Sequence, residues 1–310
     1  MKTKSQFLYF AQFLMLYTLV VILWGAWVRI SHSGDGCGAS WPLCNGQIIP
    51  EAHHTKTWVE FSHRLTSGFF GVLVMFLFWQ GRKHFAQGDP LRKASLATLI
   101  FMITEALLGA KLVLFGLVGN NDSTLRLFMM GLHQVNSLLL TGSISLVVLF
   151  ASDLPDKIKI AADSPVKKPL PKWAFAFLVL FISIAVTGAF ASLSTTLFPS
   201  TSLLEGLAKD FAPEAHYLMR LRISHPLLAT LIGGVLAIYF WLKAQEETNL
   251  LLRKCTLRAA LFFSLGVVFG YITLFSLAPP WMKVVHLLIA HLIWMSLLRW
   301  YILKKLKLAA

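Results

Sequence analysis

The stretch Glu60-Phe61-Ser62-His63-Arg64 stands at the start of an otherwise apolar run that continues to Trp79. Residues three or four apart lie on the same face of a helix, so Glu60 and His63 would share one face. Ionisable groups within the apolar part of a membrane protein are costly and are functional candidates by default. The run therefore predicts a membrane-spanning helix that carries polar chemistry at one end.

The composition extends this membrane interpretation to the whole chain. Its 310 residues are 56% hydrophobic and only 14% charged, with a mean hydropathy of +0.68. A hydrocarbon core of about 30 Å requires roughly 20 apolar residues per helix. Suitable stretches lie near 8–28, 58–80, 94–118, 125–151, 173–193, 218–242, 256–278 and 281–303. These stretches are too long for barrel strands, and their apolar and polar residues do not alternate. They therefore predict an all-α integral membrane protein with eight transmembrane helices.

The net charge of +14 is unevenly distributed along the chain. With the amino terminus inside, most lysines and arginines fall in cytoplasmic segments. This bias follows the positive-inside rule and predicts that both termini are cytoplasmic in a multi-pass protein of the cell membrane. The distribution of positive charge is explained by the orientation of the chain in the lipid membrane. Nucleic acid is therefore not expected as a partner.

The second half of the chain repeats the first in outline. The matching features are Gly25-Ala26 with Gly188-Ala189, Ser62-His63 with Ser224-His225, and His133 with His286. Repeats of this kind predict two four-helix bundles related by an approximate twofold axis along the membrane normal. The bundles would comprise residues 1–151 and 173–310, joined by a cytoplasmic linker at 152–172.

Four histidines are expected at similar depth below the outer surface. They are His63, His133, His225 and His286, one on each helix that descends from the outer face. Histidines at equal depth on two helices of one bundle suit bis-imidazole ligation of a heme iron. A hydrogen-bonded packing role is the alternative for any single histidine, but four in a duplicated frame favour heme ligands. The predicted pairs are His63 with His133 and His225 with His286.

Other polar residues in the apolar helices receive more limited interpretations. Arg64 and Arg222 are candidates to pair with heme propionates, because guanidinium groups bind carboxylates well; interfacial snorkelling is the alternative. His216 could approach a heme edge. Glu105 and His291 are interpreted as packing residues.

The two halves differ three residues before the first histidine of each pair. Glu60 stands there in the first half, whereas Arg222 stands there in the second. A reaction site needs a proton acceptor or charge stabiliser that an electron-transfer site does not. The difference predicts that chemistry takes place in the first half, with Glu60 as its catalytic residue.

Cys37 and Cys44 lie together in the long outer loop predicted at 30–57. An oxidising outer compartment favours a disulfide between them. A metal site is the alternative, although the gap is longer than the usual zinc spacing. The corresponding second-half loop, 194–217, has no cysteine pair, and Cys255 is expected to be a packed free thiol.

Several motifs together resemble those of heme A synthases. They are Gly25-Ala26-Trp27-Val28-Arg29, Gly34-Asp35-Gly36-Cys37-Gly38, Trp41-Pro42-Leu43-Cys44, Glu60-Phe61-Ser62-His63-Arg64 and Leu107-Leu108-Gly109-Ala110. The resemblance covers essentially the whole chain, and its specific part is the cysteine loop followed by Glu-x-x-His-Arg. It implies that Cys37 and Cys44 form the family's loop disulfide.

The resemblance implies oxidation of the C8 methyl group of heme O, through an alcohol, to the formyl group of heme A. His63 and His133 would hold the substrate heme, with Glu60 as the acid beside it. His225 and His286 would hold a heme b that passes electrons. A heme O synthase that supplies the substrate and a terminal oxidase that receives the product are the implied partners.

Two other classes of protein are compatible with intramembrane histidines. A di-heme cytochrome b-type electron-transfer protein explains the four histidines but gives no purpose to Glu60 or to the asymmetric cysteine loop. A transporter with intramembrane histidines would bind no heme. Extracted pigments distinguish all three classes.

Overall fold

Eight long helices make up most of the chain that the structure describes. The computed structural model describes residues 4–51, 54–152 and 173–305. The helices long and apolar enough to cross a membrane are α1 Lys4–Ile30, α2 Thr55–His84, α3 Pro90–Leu114, α4 Thr124–Ala151, α5 Trp173–Leu197, α7 Tyr217–Glu246, α8 Leu250–Phe275 and α9 Pro280–Lys305. A short helix, α6 (Leu203–Phe211), lies between α5 and α7. The described residues contain no strand, and the predicted eight-helix membrane fold is confirmed.

The helix boundaries follow from local capping chemistry. The side chains of Asp89, Ser123 and Asn249 accept backbone hydrogen bonds in the first turns of α3, α4 and α8. Helix α3 stops before its predicted limit at residue 118, because Gly116 has a φ of +64°. A left-handed residue at this position ends a helix.

The helices pack as two four-helix groups. Consecutive helices from α1 to α4 are in contact and α1 returns against α4; α5, α7, α8 and α9 do the same in the second half. The groups meet where α1 and α4 face α5 and α9. Beyond Ser152, the predicted linker 152–172 lies outside the described residues, and the cytoplasmic placement of both termini stays a prediction.

Dense apolar packing occupies one end of each bundle. In the first bundle the buried cluster includes Leu14, Phe70, Val74, Leu77 and Ile144. In the second it includes Phe181, Phe240, Phe263, Leu297 and Trp300. The four candidate histidines belong to neither cluster and lie toward the opposite end, which carries the loop at 31–51. We call this the loop end. Burial of these apolar clusters stabilises both bundles, and the second cluster extends up to the candidate histidines of its bundle.

Hydrogen bonds also join the two bundles. The indole Nε1 of Trp294 donates to the carbonyl oxygen of Leu138 at 2.6 Å. His291 is fully buried, and its Nδ1 lies 3.1 Å from the Thr141 hydroxyl. His291 therefore makes a contact between α9 and α4, as its interpretation as a packing residue requires.

Candidate functional site

Each of the four candidate histidines lies against a glycine of the preceding membrane-spanning helix. Distances from an added Cβ to the nearest imidazole atom are 2.8 Å for Gly25 and His63, 3.8 Å for Gly109 and His133, 3.0 Å for Gly188 and His225, and 3.1 Å for Gly270 and His286. At three of these glycines, a side chain would meet the imidazole closer than ordinary van der Waals contact. The same glycine and histidine arrangement therefore recurs in both bundles.

The second histidine pair has the spacing of two ligands to one iron. The ring centroids of His225 and His286 are 6.0 Å apart. Imidazole nitrogens bound at about 2 Å on either side of a metal place their ring centroids roughly 6 Å apart. The Nδ1 of His225 lies 3.1 Å from the Ile184 carbonyl oxygen, to which it can only donate. This bond leaves the Nε2 lone pair available to a metal.

A cavity of about 420 Å³ opens beside this pair. Its walls are mainly apolar and include Phe181, Phe263 and Ile293, with both histidines exposed to the cavity. Mainly apolar pockets of a few hundred Å³ with a few placed polar groups are typical of cofactor sites. The donor set, the ring spacing and the apolar walls fit a bis-histidine heme.

The first histidine pair is similarly composed. His63 and His133 lie near each other, and the Nδ1 atom of each is buried with no hydrogen-bond partner among the described residues. The Nε2 of His133 lies 3.6 Å from Glu105 Oε1. Glu105 in turn accepts hydrogen bonds from Asn136, at 2.7 Å, and from Ser137. This polar network on α3 and α4 places a carboxylate beside the His133 ring.

His225 lies where α7 departs from regular α-helical geometry. The helix is interrupted at Ile223, and a π-helical turn follows at Ala229–Gly233. Pro226 has no backbone N–H to donate to the carbonyl of Arg222, which loosens the helix next to His225. Single π-helical turns within helices are frequent at functional sites.

Glu60 and Arg64 together fasten the loop to α2. Glu60 is 3% exposed. Its Oε2 accepts from the Cys37 backbone N–H at 2.8 Å, and its Oε1 lies 2.5 Å from Arg64 Nη2. Arg64 Nη1 then donates to the carbonyls of Ser40 and Leu43 at 2.6 and 2.5 Å. Arg64 is thus committed to the loop and to Glu60.

Arg222 performs the corresponding task in the second bundle. Its guanidinium pairs with Asp210 on α6 at 2.6 Å. It also donates to the carbonyls of Phe198 and Gly206, both at 3.1 Å. Arg222 lines the cavity, but its donors are directed to the 198–216 segment. Glu60 and Arg222 therefore both tie a loop to the helix that carries a candidate ligand.

The predicted disulfide between Cys37 and Cys44 is present. Among the residues that the structure describes, no cluster of three or more histidine, cysteine or acidic side chains could hold a metal ion. Cys255 is a buried free thiol, as expected. His216 caps the start of α7, and its ring lies tilted against that of Tyr217 with centroids 4.5 Å apart.

Comparison with known proteins identifies the family. A profile of the COX15-CtaA family, described as cytochrome oxidase assembly protein, matches residues 8–298. The chain belongs to this family. A Thermus thermophilus protein named protoheme IX farnesyltransferase is 36% identical over 281 residues, covering 91% of this chain and 45% of that protein. Heme A synthases of Bacillus mycoides and Bacillus cereus are 42% and 41% identical over 98 residues, 32% of each chain.

These relatives are matched over only part of their length. The chain spans less than half of the Thermus protein, which is therefore the longer of the two. Family membership rests on the profile match, which extends from α1 through most of α9.

Two cationic residues of this COX15-CtaA family member were not identified from its sequence. Arg29 on α1 and Lys283 on α9 both line the cavity beside His225 and His286. Lys283 lies three residues before His286, the same spacing that Arg222 has to His225, and this spacing was the available signal. Arg29 reaches the cavity from the other bundle, which no spacing along the chain indicates.

Alanine substitution of the four glycines should have graded effects. Gly25→Ala, Gly188→Ala and Gly270→Ala should displace the adjacent histidine and weaken heme binding, because overpacking costs about 1–3 kcal/mol. Gly109→Ala should be milder, since its added Cβ would make an ordinary contact at 3.8 Å. The measurement is the heme absorption per protein in purified material.

Gly234→Ala is the matched control, because nothing lies within 4 Å of its added Cβ on α7. It should retain heme fully, and alanine is the better helix former. Equal heme loss in Gly109→Ala and Gly25→Ala would contradict the steric argument.

Proposed function

We propose that this protein is a heme A synthase that oxidises the C8 methyl group of heme O to the formyl group of heme A. The observation that carries the proposal is the duplicated pair of histidines, each seated against a glycine at the loop end of a bundle. Membership of the COX15-CtaA family and the name of the Bacillus relatives support it. Both sites would lie toward the outer face if the positive-inside orientation holds.

The first pair, His63 and His133, is assigned to the substrate heme O. Glu60 lies one helical turn from His63 and is held by Cys37 and Arg64. A carboxylate offers about four acceptor positions, and three are occupied by these donors. The remaining position can accept a proton from an attacking water, and the negative charge can stabilise positive charge developing on the oxidised carbon.

The second pair, His225 and His286, is assigned to a heme b, which supplies one-electron transfer when bound. The chain's own contribution is to hold the imidazoles and to limit water. The bond from His225 Nδ1 to Ile184 fixes the imidazole tautomer, and the apolar cavity walls keep the site dry. Low polarity and axial histidines are the means by which a protein sets a heme potential.

The Thermus relatives support a partnership with a heme O synthase. Their name, protoheme IX farnesyltransferase, describes addition of a farnesyl group to protoheme, and a farnesylated heme is the substrate proposed here. This chain matches 45% of those proteins, so the matched region and additional sequence occur in one polypeptide there. A terminal oxidase would receive the product.

The test is pigment analysis of cells that contain this protein together with a heme O synthase. Wild-type protein should yield heme A in acid–acetone extracts, whereas cells with the heme O synthase alone should yield heme O. A red protein that holds heme b but forms no heme A would instead support the di-heme electron carrier. A colourless purified protein would support the transporter class.

A further inference from the structure

The cavity beside the second histidine pair contains two cationic side chains that have no anionic partner. Within the described residues, Arg29 and Lys283 form no salt bridge, whereas Arg222 in the same cavity is paired with Asp210. The two free cations are close enough to each other to interact electrostatically. Buried charges without a counter-charge are costly. The positive charges of Arg29 and Lys283 are therefore not balanced by an acidic side chain among the described residues.

The protein contacts of the two cations do not resolve this imbalance. Lys283 Nζ donates to the hydroxyl of Thr196 at 3.0 Å, and Arg29 Nη2 lies 3.5 Å from the hydroxyl of Ser192. Arg29 Nε is buried and has no hydrogen-bond partner in the described part of the chain. Hydroxyl groups accept a hydrogen bond but supply no negative charge. Donors remain available for an anionic ligand.

The position of the cations indicates what kind of anion they would meet. Lys283 lies three residues before His286, so it is on the same face of α9, one helical turn closer to the loop end. Arg29 lies four residues past Gly25, and its contact Ser192 lies four residues past Gly188, which touches His225. Both cations are thus about one turn, roughly 5 Å, beyond the histidine level.

We propose that Arg29 and Lys283 bind the two carboxylates of the porphyrin held by His225 and His286. Because the cavity walls are mainly apolar, the fitting ligand has a large apolar body, with acidic groups on the edge that faces the two cations. This inference rests on the proposed function, since it specifies how the second heme is held. Arg222 is a less suitable partner for the carboxylates, because its donors already bind Asp210 and loop carbonyls. The proposal therefore assigns propionate binding to Arg29 and Lys283 instead.

The proposed porphyrin site includes residues from both bundles. Arg29 belongs to α1, whereas His225, His286 and Lys283 belong to the second bundle. The second site is therefore completed by the first bundle, and a porphyrin bound there contacts both halves. Charge-assisted hydrogen bonds of this kind also raise specificity for a dicarboxylate over a neutral analogue.

The closing experiment compares iron protoporphyrin IX with its dimethyl ester, in which both carboxylates are neutral. Each is titrated into full-length protein purified in detergent from heme-limited cells, with a His63→Ala background to isolate the second site. The low-spin bis-histidine absorption reports binding. The diacid should bind at least about tenfold more tightly than the ester, since hydrogen bonds to charged groups are stronger than those to neutral groups.

Two variants and one control localise the effect. Arg29→Gln and Lys283→Gln should each reduce the preference for the diacid severalfold. Lys111→Gln, which removes an exposed lysine from the loop end of α3, should leave the preference unchanged. In holoprotein, loss of either cavity cation should lower the midpoint potential of the heme, because a nearby positive charge favours the reduced iron.

The outcomes separate the two proposals. Equal affinity of the wild-type site for diacid and diester overturns the carboxylate assignment, even if the variants fail to fold. Low-spin binding with an unchanged preference in both variants overturns it as well. If neither porphyrin gives a low-spin spectrum, the second heme site of the proposed function is wrong and the carboxylate assignment falls with it.

Discussion

Replacing His63 with alanine is expected to abolish heme A formation while the second site retains its heme. His63 would supply a ligand to the substrate heme. The absence of a side chain at Gly25 on α1 makes space for the His63 imidazole. His225 and His286 are 6.0 Å apart in the other bundle and do not depend on His63. The measurement combines extracted pigments with the absorption spectrum of purified protein after co-expression with a heme O synthase.

His225→Ala gives the complementary result. It should remove the low-spin heme signal of the second site, and heme A should fall because the electrons have lost their path. His84→Ala is the control, since this exposed histidine lies at the far end of α2 from the loop. Normal heme A in His63→Ala would show that the first pair is not the substrate site. Loss of the same spectral signal in both ligand variants would contradict two separate sites.

The number of helices and the paired histidines could be predicted because both depend on regularities along the chain. Apolar length determines which segments can span a membrane, and the depth of a residue follows from its distance to the helix start. The limits of α8 were less predictable. It ends at Phe275, three residues before its expected limit, because Leu277 and Ala278 adopt positive φ angles of 61° and 52°.

The roles of the arginines could not be predicted, because their partners are groups that side-chain patterns do not reveal. Arg64 donates to two loop carbonyls, and the identity of the loop residues says nothing about where their carbonyls point. Arg222 finds Asp210 on a short helix twelve residues earlier. The sequence therefore indicates a cation beside each ligand histidine, but not the loop groups that this cation also binds.

The contrast between Glu60 and Arg222 also changes in meaning. From the sequence, an acid in one half and a base in the other suggested a reaction site and a transfer site. In the structure, both residues tie a loop to a helix, and each does so with a partner of opposite charge. An acid in one half and a cation in the other can therefore serve the same structural purpose. An experiment on the catalytic role of Glu60 must separate that role from its contact with the loop.

Glu60→Gln is expected to reduce heme A formation on the order of a hundredfold, the typical loss when one electrostatic partner of a reaction is removed. Glutamine has nearly the same shape, and its carbonyl oxygen can still accept from the Cys37 backbone N–H. The substitution removes the negative charge, and with it the ion pair to Arg64 at 2.5 Å. The measurement is heme A formed per protein, with heme O binding followed by absorption.

Arg64→Gln separates the two explanations, because it breaks the same ion pair and leaves the carboxylate in place. Arg64→Gln also removes the two hydrogen bonds to the carbonyls of Ser40 and Leu43. It should therefore loosen the loop at least as much as Glu60→Gln does, and protease cleavage in the 31–51 loop measures this loosening. If the Glu60 charge acts on the substrate, Glu60→Gln should form far less heme A than Arg64→Gln at equal loop cleavage. If Glu60 only anchors the loop, heme A should fall in both variants in proportion to cleavage, and the catalytic assignment would be wrong.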